Sequence, residues 1–148
     1  MTAPVLRLPY HTLSPDAFNG LLVTKNALDQ SSLGIKLIEL VYLRVSQING
    51  CAYCLNLHST SLRKHGETQD RIDELAGWRV SHRYTEAERA ALAWAEAMTY
   101  IGSATQGDIS DEIYLPLVEH FDETERADLT LAIGLMNGMN RLAIALRQ

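Results

Sequence analysis

From residue 14 onward, apolar positions recur every three or four residues, the period of α-helices packed on one side. Ser14-Pro15-Asp16 has the form of an N-cap followed by proline at the first helical position. Phe18, Leu21, Leu22 and Leu28 follow at helical spacing, which predicts a helix over 15–29. Ser31 or Ser32 is placed to cap the next helix, LGIKLIELVYLRVSQI, which stops at Asn49-Gly50. That segment is apolar on most faces and is expected to be the buried central helix. A third helix starts at or just before Cys51 and runs to Lys64 or His65. Gly66 falls at its C′ position, where left-handed backbone costs glycine nothing.

Thr68 can cap a short helix through Glu74 to Ala76, closed by Gly77. Thr85-Glu86-Ala87-Glu88 is a capping box opening EAERAALAWAEAMTYI, whose apolar stripe is Ala91, Trp94, Ala95, Met98 and Ile101. Ile113, Leu117 and Phe121 predict a helix near 111–120, with Pro116 marking a kink or a later start. Asp122 to Glu125 resembles a second capping box, followed by a long helix to about residue 146. Within it, Met136-Asn137-Gly138-Met139-Asn140 is expected to form a close helix crossing or subunit contact, with methionines able to line a pocket. No segment alternates as a strand would. The expectation is one all-α domain over 1–148, its core spanning residues 15–146, a bundle of about seven helices.

Composition sharpens the class. The 148 residues are 47% hydrophobic and 21% charged, ordinary for a soluble globular chain long enough to bury a core without staples. A formal net charge of −5 disfavours nucleic acid and anionic membranes as partners. The start, MTAPVLRLPYH, has no signal-peptide pattern, and no uncharged apolar run approaches the roughly 20 residues a membrane span needs. A cytoplasmic protein is expected, where a close cysteine pair is more often redox-active or metal-binding than structural.

The chemistry gathers in INGCAYCLNLHSTSLRKHG, residues 48–66, which holds both cysteines of the chain. Residues three and four apart share a helix face, so Cys51, Cys54 and His58 form one stripe. Cys51 falls at the helix N-terminus, where free N–H groups favour a thiolate, and a histidine one turn past Cys54 can take or relay a proton. Three readings remain open: a reactive dithiol, a pair of small buried hydrophobes, and a zinc site completed by Glu39 or His65. Glu39, in the apolar stretch LIELVYL, either pairs with Lys36 in solvent or reaches the Cys/His stripe as a base or proton relay. His65 reads as a charge at a helix C-terminus, and His11, His82 and His120 as surface residues. Trp78 and Trp94 read as core or interface.

Taken together, Glu39, Cys51-Ala-Tyr-Cys54-x-x-x-His58 and Gly66 form the pattern E-x11-C-x2-C-x3-H-x7-G. It resembles the alkylhydroperoxidase D family within the carboxymuconolactone decarboxylase superfamily. The Trp78 segment, Thr85-x-x-Glu-Arg-Ala-Ala-Leu-Ala and the closing NRLAIAL look like its peroxidase-related members, so the resemblance covers residues 15–146. It implies an all-helical fold assembling as a homo-oligomeric trimer or hexamer, and thiol-dependent hydroperoxide reduction without a cofactor or metal. Cys54 would attack the hydroperoxide and Cys51 would resolve the sulfenic acid to a disulfide. Glu39 and His58 would relay protons, and a dithiol on a lipoyl or thioredoxin-like protein would restore the thiols. Helix-terminus electrostatics alone would instead make Cys51 the more acidic thiol. Some relatives carry a second histidine between the cysteines where this chain has Tyr53, a poor base at neutral pH. The decarboxylase branch lacks the cysteine pair. A non-enzymatic redox-sensing or zinc-binding module is the alternative from another class.

Overall fold

The computed structural model describes residues 5–103 and 108–148, and all regular structure among them is helical. The helices are α1 (Tyr10–Leu13), α2 (Pro15–Asp29), α3 (Ile35–Asn49), α4 (Ala52–Lys64), α5 (Gln69–Asp73), α6 (Glu86–Thr99), α7 (Asp111–His120) and α8 (Glu123–Leu146). A 3-10 turn, Leu75–Gly77, follows α5. Against the seven expected, the additional helix among the described residues is α1, too short to show a period of its own.

The apolar faces of α3 make it the centre of the bundle, packed against α4, α6 and α8. Ile38, Val41, Tyr42 and Val45 meet Ala91 and Ala95 of α6, Leu117 of α7, and Leu129, Ile133 and Met136 of α8. Leu40 and Leu43 look the other way, into Leu62, Leu75, Trp78 and Leu92. Two apolar clusters on one helix explain why its sequence shows no clean polar face. By length and composition α8 could cross a membrane, yet here it serves as a core helix that buries Leu129, Ala132, Ile133, Met136, Asn140 and Ala143.

Both capping boxes form. Thr85 accepts from Glu88 N–H and Asp122 from Glu125 N–H, with each glutamate returning the bond. Elsewhere the caps differ from expectation. Ser14 sits at the N-cap of α2 without a side-chain cap bond, and the N-cap of α3 is Gly34, at φ 86°, instead of Ser31 or Ser32. That left-handed backbone suits glycine and shifts the helix start beyond both serines; Ser32 bonds Glu125 instead. Pro116 lies inside α7, which already begins at Asp111. Ile101 falls beyond the end of α6 and is exposed, so it leaves the apolar stripe.

Gly138 does not interrupt α8, and nothing lies within 4 Å of where its side chain would begin, so no close crossing forms there. Its neighbours make a polar seam instead. Asn49 Nδ2 donates to Asn137 Oδ1 and Asn140 Oδ1, both at 3.0 Å, and Asn140 Nδ2 donates to Ser46 Oγ at 3.0 Å. The seam clamps the end of α3 just before Gly50, whose φ of 71° turns the chain into α4. An L-residue there would cost about 1 kcal/mol, with no packing to offset it.

A buried ion cluster braces the other side. Glu96 of α6, 8% exposed, accepts from Arg44 Nε at 2.9 Å, from Trp78 Nε1 at 2.8 Å and from Arg79 Nη1. Burial pushes its carboxyl up, and the bonds from Arg79, Trp78 and Arg44 more than offset this, holding it below the usual carboxylate range.

Candidate active site

The turn at Gly50 delivers Cys51 as the N-cap of α4, its Sγ accepting the Cys54 N–H at 3.3 Å. Cys51 and Cys54 are joined as a disulfide, with Cα atoms 5.2 Å apart. An amide donor and the positive end of the helix both favour negative charge on sulfur at this position. His58, one turn beyond Cys54, is only 2% exposed.

Behind His58 stands Glu39, 4% exposed, its Oε2 at 2.7 Å from His58 Nδ1. Glu39 thus reaches the Cys/His stripe, and Lys36, exposed on α3, forms no ion pair with it. A carboxylate in its charged form only accepts, and with that partner Nδ1 is the donor and Nε2 the ring atom free to take a proton. Tyr42 lies against His58, ring centroids 5.2 Å apart, with its hydroxyl buried and bonded to no atom of the described residues. Burial, then the charges of Asp29 and Glu39, push that phenol far above its ordinary range, so it stays protonated.

A cavity of about 190 Å³ opens onto this group. Cys54, His58 and Lys25 lie on its polar wall. Phe18, Leu22, Leu57, Met136, Met139 and Leu142 make most of the remainder apolar, the two methionines from the Met136–Asn140 stretch among them. Cys51, at 1% exposure, does not line it. Tyr53, 44% exposed, stands on the rim. The roof comes from the two ends of the described chain. Arg7 N–H donates to Leu146 O at 2.8 Å, Arg7 Nη1 to Ala145 O at 3.3 Å, and the Tyr10 hydroxyl to Gln148 Oε1.

Lys25 is the site residue that the sequence pattern did not single out. Its Nζ is 2.7 Å from Asp29 Oδ2, 4.0 Å from Glu39 Oε1 and 5.4 Å from the centroid of the Tyr42 ring. The signal was present: Phe18, Leu22, Lys25 and Asp29 recur at helical spacing, which sets a lysine among the cavity-facing positions of α2.

The zinc arrangement is not assembled. Glu39 is turned to His58, while His65 is exposed and donates from Nδ1 to Ser61 O at 2.8 Å. Among the described residues, no group of three or more His, Cys, Asp and Glu side chains is gathered to hold a metal ion. His11, His82 and His120 are exposed, Trp78 is core, and Trp94 is part-buried, donating to Thr130 Oγ1 at 3.0 Å.

Several known proteins are similar to this chain. The carboxymuconolactone decarboxylase family profile matches residues 15–97. YdfG, an uncharacterized protein of Bacillus subtilis, is 37% identical over 140 residues, 95% of this chain and 93% of its own length. A crystal structure from Agrobacterium tumefaciens, of a protein of unknown function linked to antioxidant defence and AhpD, aligns with a TM-score of 0.90 at 36% identity, covering 97% of each chain. Alkyl hydroperoxide reductase AhpD of Hyphomonas neptunium is 56% identical over a shorter stretch of 57 residues, 38% of this chain and 31% of its own length.

Proposed function

This chain belongs to the carboxymuconolactone decarboxylase family, among its all-helical AhpD-like members, and we propose that it is a thiol-dependent hydroperoxide reductase. The AhpD-like relatives and the Cys51–Cys54 pair support a peroxidase-related role. The observation that carries the finer reading is the shared cavity wall: Cys54 and His58 face one apolar cavity, and Glu39 backs His58 at 2.7 Å.

In the reduced protein, His58 Nε2 accepts the Cys54 proton, and Glu39 stabilises the imidazolium that forms. The thiolate attacks the terminal oxygen of the hydroperoxide. An S–O bond forms as the O–O bond breaks, and the departing alkoxide takes the proton from His58, leaving an alcohol and Cys54 sulfenic acid. Cys51, already within bridging distance, attacks the Cys54 sulfur; the S–S bond forms and hydroxide leaves with the thiol proton as water. The two thiols supply both electrons. A dithiol on a lipoyl or thioredoxin-like protein returns them by disulfide exchange.

Apolar lining favours organic hydroperoxides over hydrogen peroxide, which could not desolvate favourably there. The position of Cys54 on the cavity wall, with Cys51 behind it, also favours Cys54 over the helix-terminal cysteine as the attacking sulfur. The protein is read as cytoplasmic and as a symmetric homo-oligomer, a trimer or hexamer. Leu115, Val118 and Leu131 leave exposed apolar side chains on α7 and α8 for such contacts. A clean monomer by light scattering at working concentration removes the oligomer from this reading.

The direct test adds one equivalent of an organic hydroperoxide to reduced protein, followed by intact mass and free-thiol count. Wild type should lose both thiols, and Cys51→Ser should trap one added oxygen on Cys54. Oxygen appearing on Cys51 in Cys54→Ser, with Cys54 inert in Cys51→Ser, reverses the two roles. No reaction at either thiol ends the peroxidase reading.

A further inference from the structure

We propose that Lys25 is a positioning residue of the Cys54 site, the counter-charge that faces Glu39 behind His58 and so lets His58 draw the thiol proton. The inference rests on the dithiol reading above and concerns how the thiolate is made, whatever oxidant it meets.

Glu39 has two carboxylate oxygens in a nearly water-free setting. Oε2 bonds His58, and Oε1 has Lys25 Nζ at 4.0 Å as its nearest cation. A buried carboxylate is costly without a cation beside it, and Lys25 supplies one to the oxygen that His58 leaves free. The ammonium is fixed from three sides: Asp29 Oδ2 at 2.7 Å, Glu39 at 4.0 Å and the face of Tyr42. Lys25 also lines the cavity with Cys54 and His58, so its charge and the sulfur face one mostly apolar space.

Asp29 acts in the opposite sense. Its Oδ2 neutralises much of the ammonium, while its Oδ1 is buried without a partner. The site is thus a balance of charges from successive elements. Helix α2 contributes Lys25 and Asp29, α3 contributes Glu39 and Tyr42, and α4 contributes Cys54, His58 and, on the rim, Tyr53. From α1 comes Tyr10, whose phenol burial and the neighbouring Tyr53 push up, whereas α8 brings no ionisable group to the cavity.

This balance makes a test with paired signs. The readout is the pH midpoint of Cys54 alkylation by iodoacetamide in reduced Cys51→Ser protein, which requires no peroxide turnover. Lys25→Met should raise the midpoint by about one unit, the scale of losing a nearby opposite charge. Asp29→Asn should lower it, because the ammonium is then less neutralised, and Lys25→Arg should keep it near the parent value. Movement of Lys25→Met and Asp29→Asn in the same direction would mark a merely structural effect and overturn the proposal. So would a parent-like midpoint in Lys25→Met. If Lys25→Met fails to fold, by circular dichroism, the Asp29→Asn and Lys25→Arg pair decides: no downward shift in Asp29→Asn overturns it. A sign pattern as expected in a protein that reduces no hydroperoxide would keep Lys25 in its role and remove the peroxidase reading alone.

Discussion

Glu39→Gln is expected to slow the reaction of Cys54 with an organic hydroperoxide by about 100- to 1,000-fold while leaving the fold intact. The substitution keeps size and planarity, so α3 should still pack. It removes the charge that favours imidazolium, and its amide can donate to His58 Nδ1, whose present partner is Glu39 Oε2. A ring receiving that bond carries its hydrogen on Nε2 and can no longer accept from the thiol. Stopped-flow rates on reduced protein, with circular dichroism as control, read the effect. A rate within twofold of wild type would remove Glu39 from the relay.

The second large effect concerns stability. Glu96→Ala should cost about 3–5 kcal/mol, because it leaves the part-buried Arg44 guanidinium without its counter-charge and the buried Trp78 N–H without its acceptor. That is a large part of the 5–15 kcal/mol typical of a whole domain, and a denaturant midpoint will show it; a midpoint near wild type contradicts the assignment. The pH dependence has a definite sign. The folded carboxyl titrates below its unfolded value, so its stabilisation is present above the unfolded pKa of about 4.3 and is lost as pH falls through the lower folded one. The gap between wild type and variant should therefore narrow in acid.

Most of the helical frame was legible because it rests on local signals. Both capping boxes, Gly50 and Gly66 mark chain reversals by residue type alone, and the helices they bound lie where the pattern puts them. The start of α3 was not, since Gly34 competes with two serines that are better caps by type but sit before the positive-φ position. The site was legible as a stripe on α4, yet its depth was not. Whether Glu39 meets Lys36 or His58 depends on which way α3 is rolled in the bundle, and that is decided by two apolar clusters drawn from six other helices and the 3-10 turn. Lys25 escaped for the same reason: its partner Asp29 is local, but its partner Glu39 lies across a helix packing that periodicity cannot see.

The roof of the cavity has a consequence for the birth of the protein. Arg7 and Tyr10 hold residues 138 positions further along the chain, among the most distant contacts in the fold and so the costliest to close. During synthesis α3 and α4 emerge, and their local bonds can form, long before residues 145–148 leave the ribosome. Through that interval Cys51 and Cys54 stand uncovered, open to any oxidant or reductant in their surroundings. Whatever selectivity the covered cavity lends the cysteines is thus absent until residues 145–148 dock on the N-terminal segment.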